Sequence, residues 1–172
     1  MKWLLLFFVS FGLFQTSVAQ KWNNFSNNAI AFTARYPANW TKKIKEGNVV
    51  FFTSPAENEE DEFYENVNIR MTEDAAFNSK MKMKSTMPAI LEKLTSLLDD
   101  FTLITERYFK WNGGDAGEII YTGKSQDNGA EVKITQWIGI SKGRLFTATY
   151  TSLANNTVYL QDSRKILSSI RF

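Results

Sequence analysis

Three short breaks punctuate the last part of the chain, and each is built on glycine: Asn112-Gly113-Gly114, Asp127-Asn128-Gly129 and Ser141-Lys142-Gly143. Asn-Gly, Gly-Gly and Lys-Gly pairs supply the positive φ that tight hairpin turns require. The segments they bound are 101–109, 115–122, 131–140 and 144–151, and all carry strand-like composition. A parallel crossover needs a dozen or more residues, which these breaks do not have. The four segments are therefore expected to run as an antiparallel meander.

The preceding part of the chain reads in the same way, with one interruption. Ile30, Phe32, Ala34 and Tyr36 alternate with Ala31, Thr33 and Arg35, up to a stop at Pro37-Ala38-Asn39. Thr41–Ile44 and Val49–Thr53, joined at Glu46-Gly47-Asn48, read as a hairpin. Val67, Ile69 and Met71 alternate with polar neighbours. The period then changes. Met83, Met87, Ile90, Leu91, Leu94, Leu97 and Leu98 lie on one helical stripe. Ser85 or Thr86 is placed to cap it, Pro88 fits near its start, and Asp99-Asp100 should lie just past its end. A second helical pattern follows Asn155-Asn156-Thr157, through Tyr159, Ile166, Leu167 and Ile170. Strands, helix, strands, helix with short turns give an α+β class: a central antiparallel β-sheet with helices packed on it.

The N-terminus reads as a secretory signal. Met1-Lys2 is a short positive region, Trp3 to Phe14 is mostly apolar, and Ser17-Val18-Ala19 places small residues before a cleavage point at Ala19-Gln20. The apolar run falls short of the roughly 20 residues that a membrane-spanning helix needs. The expected organisation is a signal peptide over 1–19, a polar N-terminal tail over 20–28 and a single domain over 29–172, exported to the periplasm or secreted. The mature chain is not expected to contain an integral membrane span.

The composition removes whole classes of chemistry. The chain has 172 residues, no cysteine and no histidine. Disulfides, thiolate nucleophiles and Cys-ligated metals are excluded, as are Ser-His-Asp and Cys-His arrangements. Lys+Arg number 20 against 18 Asp+Glu, and loss of residues 1–19 removes only Lys2 from that balance. Such interspersed, near-neutral charge gives no basic stripe for nucleic acid.

Several residues remain as candidates. Glu57, Glu59, Glu60, Asp61 and Glu62 form an acidic run that could offer oxygen ligands to a hard cation such as Ca²⁺, though not at EF-hand spacing; a solvated loop accounts for it equally well. Asp99-Asp100 and Glu106 with Glu118 are the carboxylate pairs to weigh for acid–base work, but sequence neighbours point apart, and glycosidase-type pairs need a set separation. Trp111 sits in a turn, where a large indole is hard to bury, and is the candidate contact for a protein partner. Glu118 and Gln136 interrupt apolar alternation and would mark a ligand pocket if they lined one.

An ordered set of motifs resembles one family. Phe32-Thr33-Ala34-Arg35-Tyr36-Pro37-Ala38-Asn39-Trp40 is similar to the Tyr-Pro-x-x-Trp opening of PsbP-like proteins. Thr53-Ser54-Pro55, Phe101-Thr102-Leu103-Ile104, Asn112-Gly113 through Tyr121, Leu145 to Thr151 and the closing Ile166 to Phe172 resemble later stretches of the same family. The resemblance implies a PsbP-like α/β/α sandwich with helices on both faces of the sheet, in a bacterial exported member. It transfers no cofactor and no site residue. The lipid-bearing cysteine of lipoprotein members and the histidine of the chloroplast subunit's metal site have no counterpart here. The function expected is a non-catalytic protein-binding or assembly factor of the cell envelope; the alternatives are a small-ligand or divalent-cation binder and, less favoured, a carboxylate enzyme.

Overall fold

The computed structural model describes residues 20–28, 31–46, 49–73, 81–126 and 128–172. The signal segment, part of the Glu46-Gly47-Asn48 turn and Asp127 lie outside them. The structure is mostly antiparallel sheet with two helices. Strands β1 (Trp22–Asn27) and β2 (Phe32–Pro37) pair with each other. Strands β3 (Thr41–Lys45), β4 (Val49–Thr53), β5 (Asn66–Glu73), β6 (Leu98–Trp111), β7 (Gly114–Ser125), β8 (Glu131–Ser141) and β9 (Arg144–Leu153) form a second sheet in the order β3-β4-β5-β9-β8-β7-β6. Every neighbouring pair in it is antiparallel. Helices α1 (Met83–Thr95) and α2 (Leu160–Ser169) complete the chain.

The glycine breaks act as the sequence requires. Asn112 and Gly113 have φ of 52° and 80°, and Lys142 and Gly143 have 52° and 76°. Two consecutive positive φ values make the two-residue turns whose twist matches that of the flanking strands. They set the registers Trp111↔Gly114 and Ser141↔Arg144 and thereby the face on which every later side chain falls.

Alternate residues of the same strands feed two apolar clusters. Phe146, Ala148 and Tyr150 of β9, Val67 and Ile69 of β5, and Val50 and Phe52 of β4 enter the larger one. They meet Ile166 and Leu167 of α2, with Phe25 and Phe32 from the two-stranded sheet. Ile119 and Tyr121 of β7 and Ile138 of β8 enter the smaller one with Met83 and Met87 of α1.

The helix boundaries differ from the periodicity. Helix α1 stops at Thr95, and Leu98, Asp99 and Asp100 belong to β6. Leu97 and Leu98 match the helical stripe, but Leu98 also begins a strand whose pairing with Ser125 wins the position. Asp100 sits at φ 53° beside a register shift, a bulge that an aspartate tolerates. Neither Ser85 nor Thr86 caps the helix start. Their hydroxyls donate back to the Lys82 carbonyl, and the Met83 N–H donates instead to Asp115 Oδ2 of β7 at 2.8 Å. The segment expected as a polar tail contains β1, held by pairing with β2 and by burial of Phe25.

Met87 is fully buried, whereas Leu97, beyond the helix end, is 55% exposed. Met87→Ala should cost about 2–5 kcal/mol in chemical denaturation, and Leu97→Ala about 0.5 kcal/mol or less. Equal losses would mean that α1 does not anchor the second cluster.

Candidate functional site

Helix α1 meets β6, β7 and β8. On the same side of the sheet, the neighbouring strands β9, β5 and β4 present a row of half-buried and polar side chains. The registers place Phe51, Asn68, Thr149 and Gln136 across one line, and Val49, Arg70, Thr147 and Ile138 across the next. Between this floor and Ile90, Lys93, Leu94 and Leu97 lies a cleft of about 580 Å³. Lys45 stands at its far rim, with its ammonium 4.4 Å from the centre of the Phe51 ring.

The charge of the cleft is uneven. Among the described residues, Lys45, Arg70 and Lys93 line it with Glu46 as the one acid. Among the described residues none of these three cations is in an ion pair. Deeper in the floor, Gln136 Nε2 donates to Thr149 Oγ1 at 3.0 Å, and its buried Oε1 has no hydrogen-bond partner among the described residues.

The two buried carboxylates are occupied elsewhere. Glu118 pairs with Arg107 across β6 and β7, through Arg107 Nε and, at 3.0 Å, Nη2. Trp137 Nε1 donates to it at 2.6 Å. Burial alone would raise its pKa, but the Arg107 and Trp137 hydrogen bonds and the guanidinium charge outweigh burial and hold the carboxyl below its ordinary value. A carboxylate held ionised by three donors is a poor proton carrier at neutral pH. Glu65 is fully buried where the acidic loop returns to the sheet. It accepts from Asn156 Nδ2 at 2.8 Å and Ser54 Oγ at 3.3 Å. Burial, with the nearby charges of Glu57 and Asp61, pushes its pKa up against the lowering effect of its hydrogen bonds.

The structure disperses the other residues singled out in the sequence. Asp61 accepts from the backbone N–H of Glu57 at 2.9 Å and of Phe63 at 3.0 Å, so its carboxylate shapes the loop. Glu59, Glu60 and Glu62 are exposed. Among the described residues no three carboxylates stand close enough together to hold an ion. Asp100 pairs with Lys124 at 2.8 Å, and Asp99 accepts from Gln126 at 3.3 Å. Glu106 lies opposite Ile119 while Glu118 lies opposite Arg107, so the two glutamates fall on different faces. Trp111 is only 4% exposed despite its turn. Phe172 and Trp137 pack edge-on against its indole, 4.8 and 5.6 Å between ring centres. The chain's last residue folds back over the hairpin, which a local reading of the turn cannot reveal. Of the two polar interruptions, Gln136 lines the cleft and Glu118 does not. Nothing in the local sequence marks Arg70 or Lys93. Arg70 occupies an ordinary outward strand position, and only the placement of α1 turns that position toward a cleft.

The likeness to known structures is clear at the level of fold. A cyanobacterial PsbP from Synechocystis superposes with a TM-score of 0.61 at 14% identity, over 91% of this chain and 95% of its own. The chain has a PsbP-like fold. LpqN of Mycobacterium tuberculosis, involved in cell envelope biogenesis, gives 0.57 at 10% identity, over 91% and 88%. A Bacteroides thetaiotaomicron protein gives 0.56 at 15% identity over 86% of this chain, which spans 47% of that longer one. No protein-family model and no curated protein sequence matches the chain.

The raised pKa of Glu65 has a measurable consequence. A carboxyl with a folded-state pKa above its unfolded value, 4.5 for this glutamate, contributes most stability below the unfolded value and loses it as pH rises through the folded one. Glu65→Gln keeps the shape without the charge. It should melt at or above the parent temperature at pH 7, with the advantage gone by about pH 4. A variant less stable than the parent at pH 7 would show that the ionised carboxylate is the favoured form.

Proposed function

We propose that this protein is an exported, non-catalytic accessory domain of the cell envelope, which works by binding in the cleft beside α1. The observation that carries this reading is the contrast between the two kinds of charged group. Glu118 is locked by its donors, whereas Lys45, Arg70 and Lys93 surround a 580 Å³ concavity without ion-pair partners among the described residues. That volume lies within the range of about 300–1,000 Å³ common to ligand sites. The named neighbours, a PsbP and an envelope-biogenesis protein, favour an accessory role over an enzymatic one. In this reading residues 1–19 are cleaved, 29–172 form one domain, and α1 and α2 lie on opposite faces of an α/β/α sandwich. The last point draws support from the alternate strand residues that each helix meets.

A second reading, a protein partner along β6, has one observation in its favour. This edge strand exposes Leu103 (39%), Ile104 (51%) and Tyr108 (38%), and an open strand edge invites pairing with another chain.

Lysine acylation distinguishes the two. In intact cell envelopes Lys45 and Lys93, which line the cleft, should be protected relative to the purified chain, while Lys110 and Lys124 near β6 should react equally in both. Protection confined to Lys110 and Lys124 would transfer the function to the β6 edge, and no protection at any of the four would end the binding reading. The intact mass of the protein recovered from the envelope should correspond to a chain starting at Gln20; a mass that includes residues 1–19 would refute cleavage.

A further inference from the structure

We propose that the occupant of the cleft is an anionic single-chain amphiphile, a medium-chain carboxylate. The inference rests on the binding role assigned to the cleft above and names the chemistry of the ligand. Three features of the cleft select it.

The first is the arrangement of its surface. Phe51 and Val49 of β4 form one apolar side, and Ile90 and Leu94 of α1 with Ile138 of β8 form the other. Between them runs a polar stripe of Asn68 and Arg70 from β5 with Thr147 and Thr149 from β9. An apolar chain lies against the walls while a polar head meets the stripe.

The second is the sign of the charge. Arg70 stands within the stripe, Lys93 on the helix side and Lys45 on the strand side, with Glu46 as the opposing charge on the lining among the described residues. Among the described residues Arg107, Lys124 and Arg144 pair with Glu118, Asp100 and Glu73, whereas the cleft cations, like Lys43, Lys133 and Lys142 elsewhere on the surface, are in no ion pair; what sets the cleft apart is that three such cations converge on one concavity. With no ion pair among the described residues, these cations, Lys45 over the Phe51 ring included, can meet an external anion. A guanidinium presents a planar fork that fits a carboxylate through two parallel hydrogen bonds, which a lysine does not do.

The third is the apolar surface left in contact with water. Leu97 is 55% exposed at the end of α1, and Ile90 and Leu94 are half-buried at the margin of the second cluster. Burial of such surface yields about 25 cal/mol per Å². This is why a chain-bearing anion is selected over a small inorganic one.

Titration of the full domain with decanoate, with the uncharged monoglyceride of the same chain length and with decyltrimethylammonium separates the terms. Calorimetry should show saturable one-to-one binding of decanoate, weakened by salt, with the uncharged analogue about fivefold weaker and the cation weaker again. Amide NMR shifts should cluster at Thr147, Thr149 and Leu94. Arg70→Gln with Lys93→Gln should remove the preference for decanoate over the monoglyceride. The double variant should melt as the parent does, because both side chains are exposed and in no ion pair among the described residues. Leu94→Ser should weaken both chain-bearing ligands. Equal affinity for the three headgroups would overturn the anionic assignment while leaving the cleft as a binding site. No binding of any of them, with no cleft shifts, would overturn both.

Discussion

A seven-stranded sheet is wider than any single helix laid on it. Strands stand about 4.8 Å apart, and a helix with its side chains is about 10–12 Å across, so one helix shades two or three strands. Helix α1 shades β6, β7 and β8. The strands beyond it must present either polar residues or a surface for something else. On that side β5 and β9 present Asn68, Arg70, Thr147 and Thr149, while their other faces carry Val67, Ile69, Phe146, Ala148 and Tyr150. The cleft is the step between the shaded and unshaded halves of the sheet, and its existence follows from strand number and helix number.

The distribution of charge follows the same division. The two buried carboxylates carry their own partners. Glu118 has Arg107 and Trp137; Glu65 has Asn156 and Ser54. Removing one partner from such a group leaves a buried polar atom unpaired, at a cost of about 1–3 kcal/mol. Where the sheet is open, Lys45, Arg70 and Lys93 are in no ion pair among the described residues, and Lys45 lies over the Phe51 ring. An incoming anion there meets cations that are in no ion pair among the described residues, whereas at Glu118 it would have to break an established network. Binding chemistry is accordingly available at the cleft and costly at the buried carboxylates.

The fold was largely legible because its main determinants are local. The Asn-Gly and Lys-Gly turns, the alternation in residues 144–151 and the stripe from Met83 all act within a few residues of themselves. What was hidden depends on contacts across the chain. Asp115, 32 positions away, caps α1 in place of Ser85 or Thr86. Phe172 covers Trp111, which makes a core residue of an indole that its turn would leave exposed. Glu106 and Glu118 separate because one register step moves a side chain to the opposite face. Gln136 was visible as a polar interruption, but Arg70 was not, since an arginine at an outward strand position has no local signature until the three-dimensional position of a distant helix is known.

A chain without cysteine has no disulfide to draw on and depends the more on its packed core, where most of its aromatic residues lie. Tyr36 stacks on Phe52, Phe146 on Phe172, and Trp40 meets Tyr159 edge-on, all within or against the larger cluster. Residues so committed cannot also be presented to a partner without loosening the core that holds the sheet. What the fold can present without that loss is the side chains outside the core: the cations of the cleft, the half-buried flanks of Leu94 and Ile90 at the margin of the second cluster, and the solvent-facing residues of the β6 edge. The same economy of packing that replaces disulfides thus restricts recognition to the places where the sheet is left uncovered.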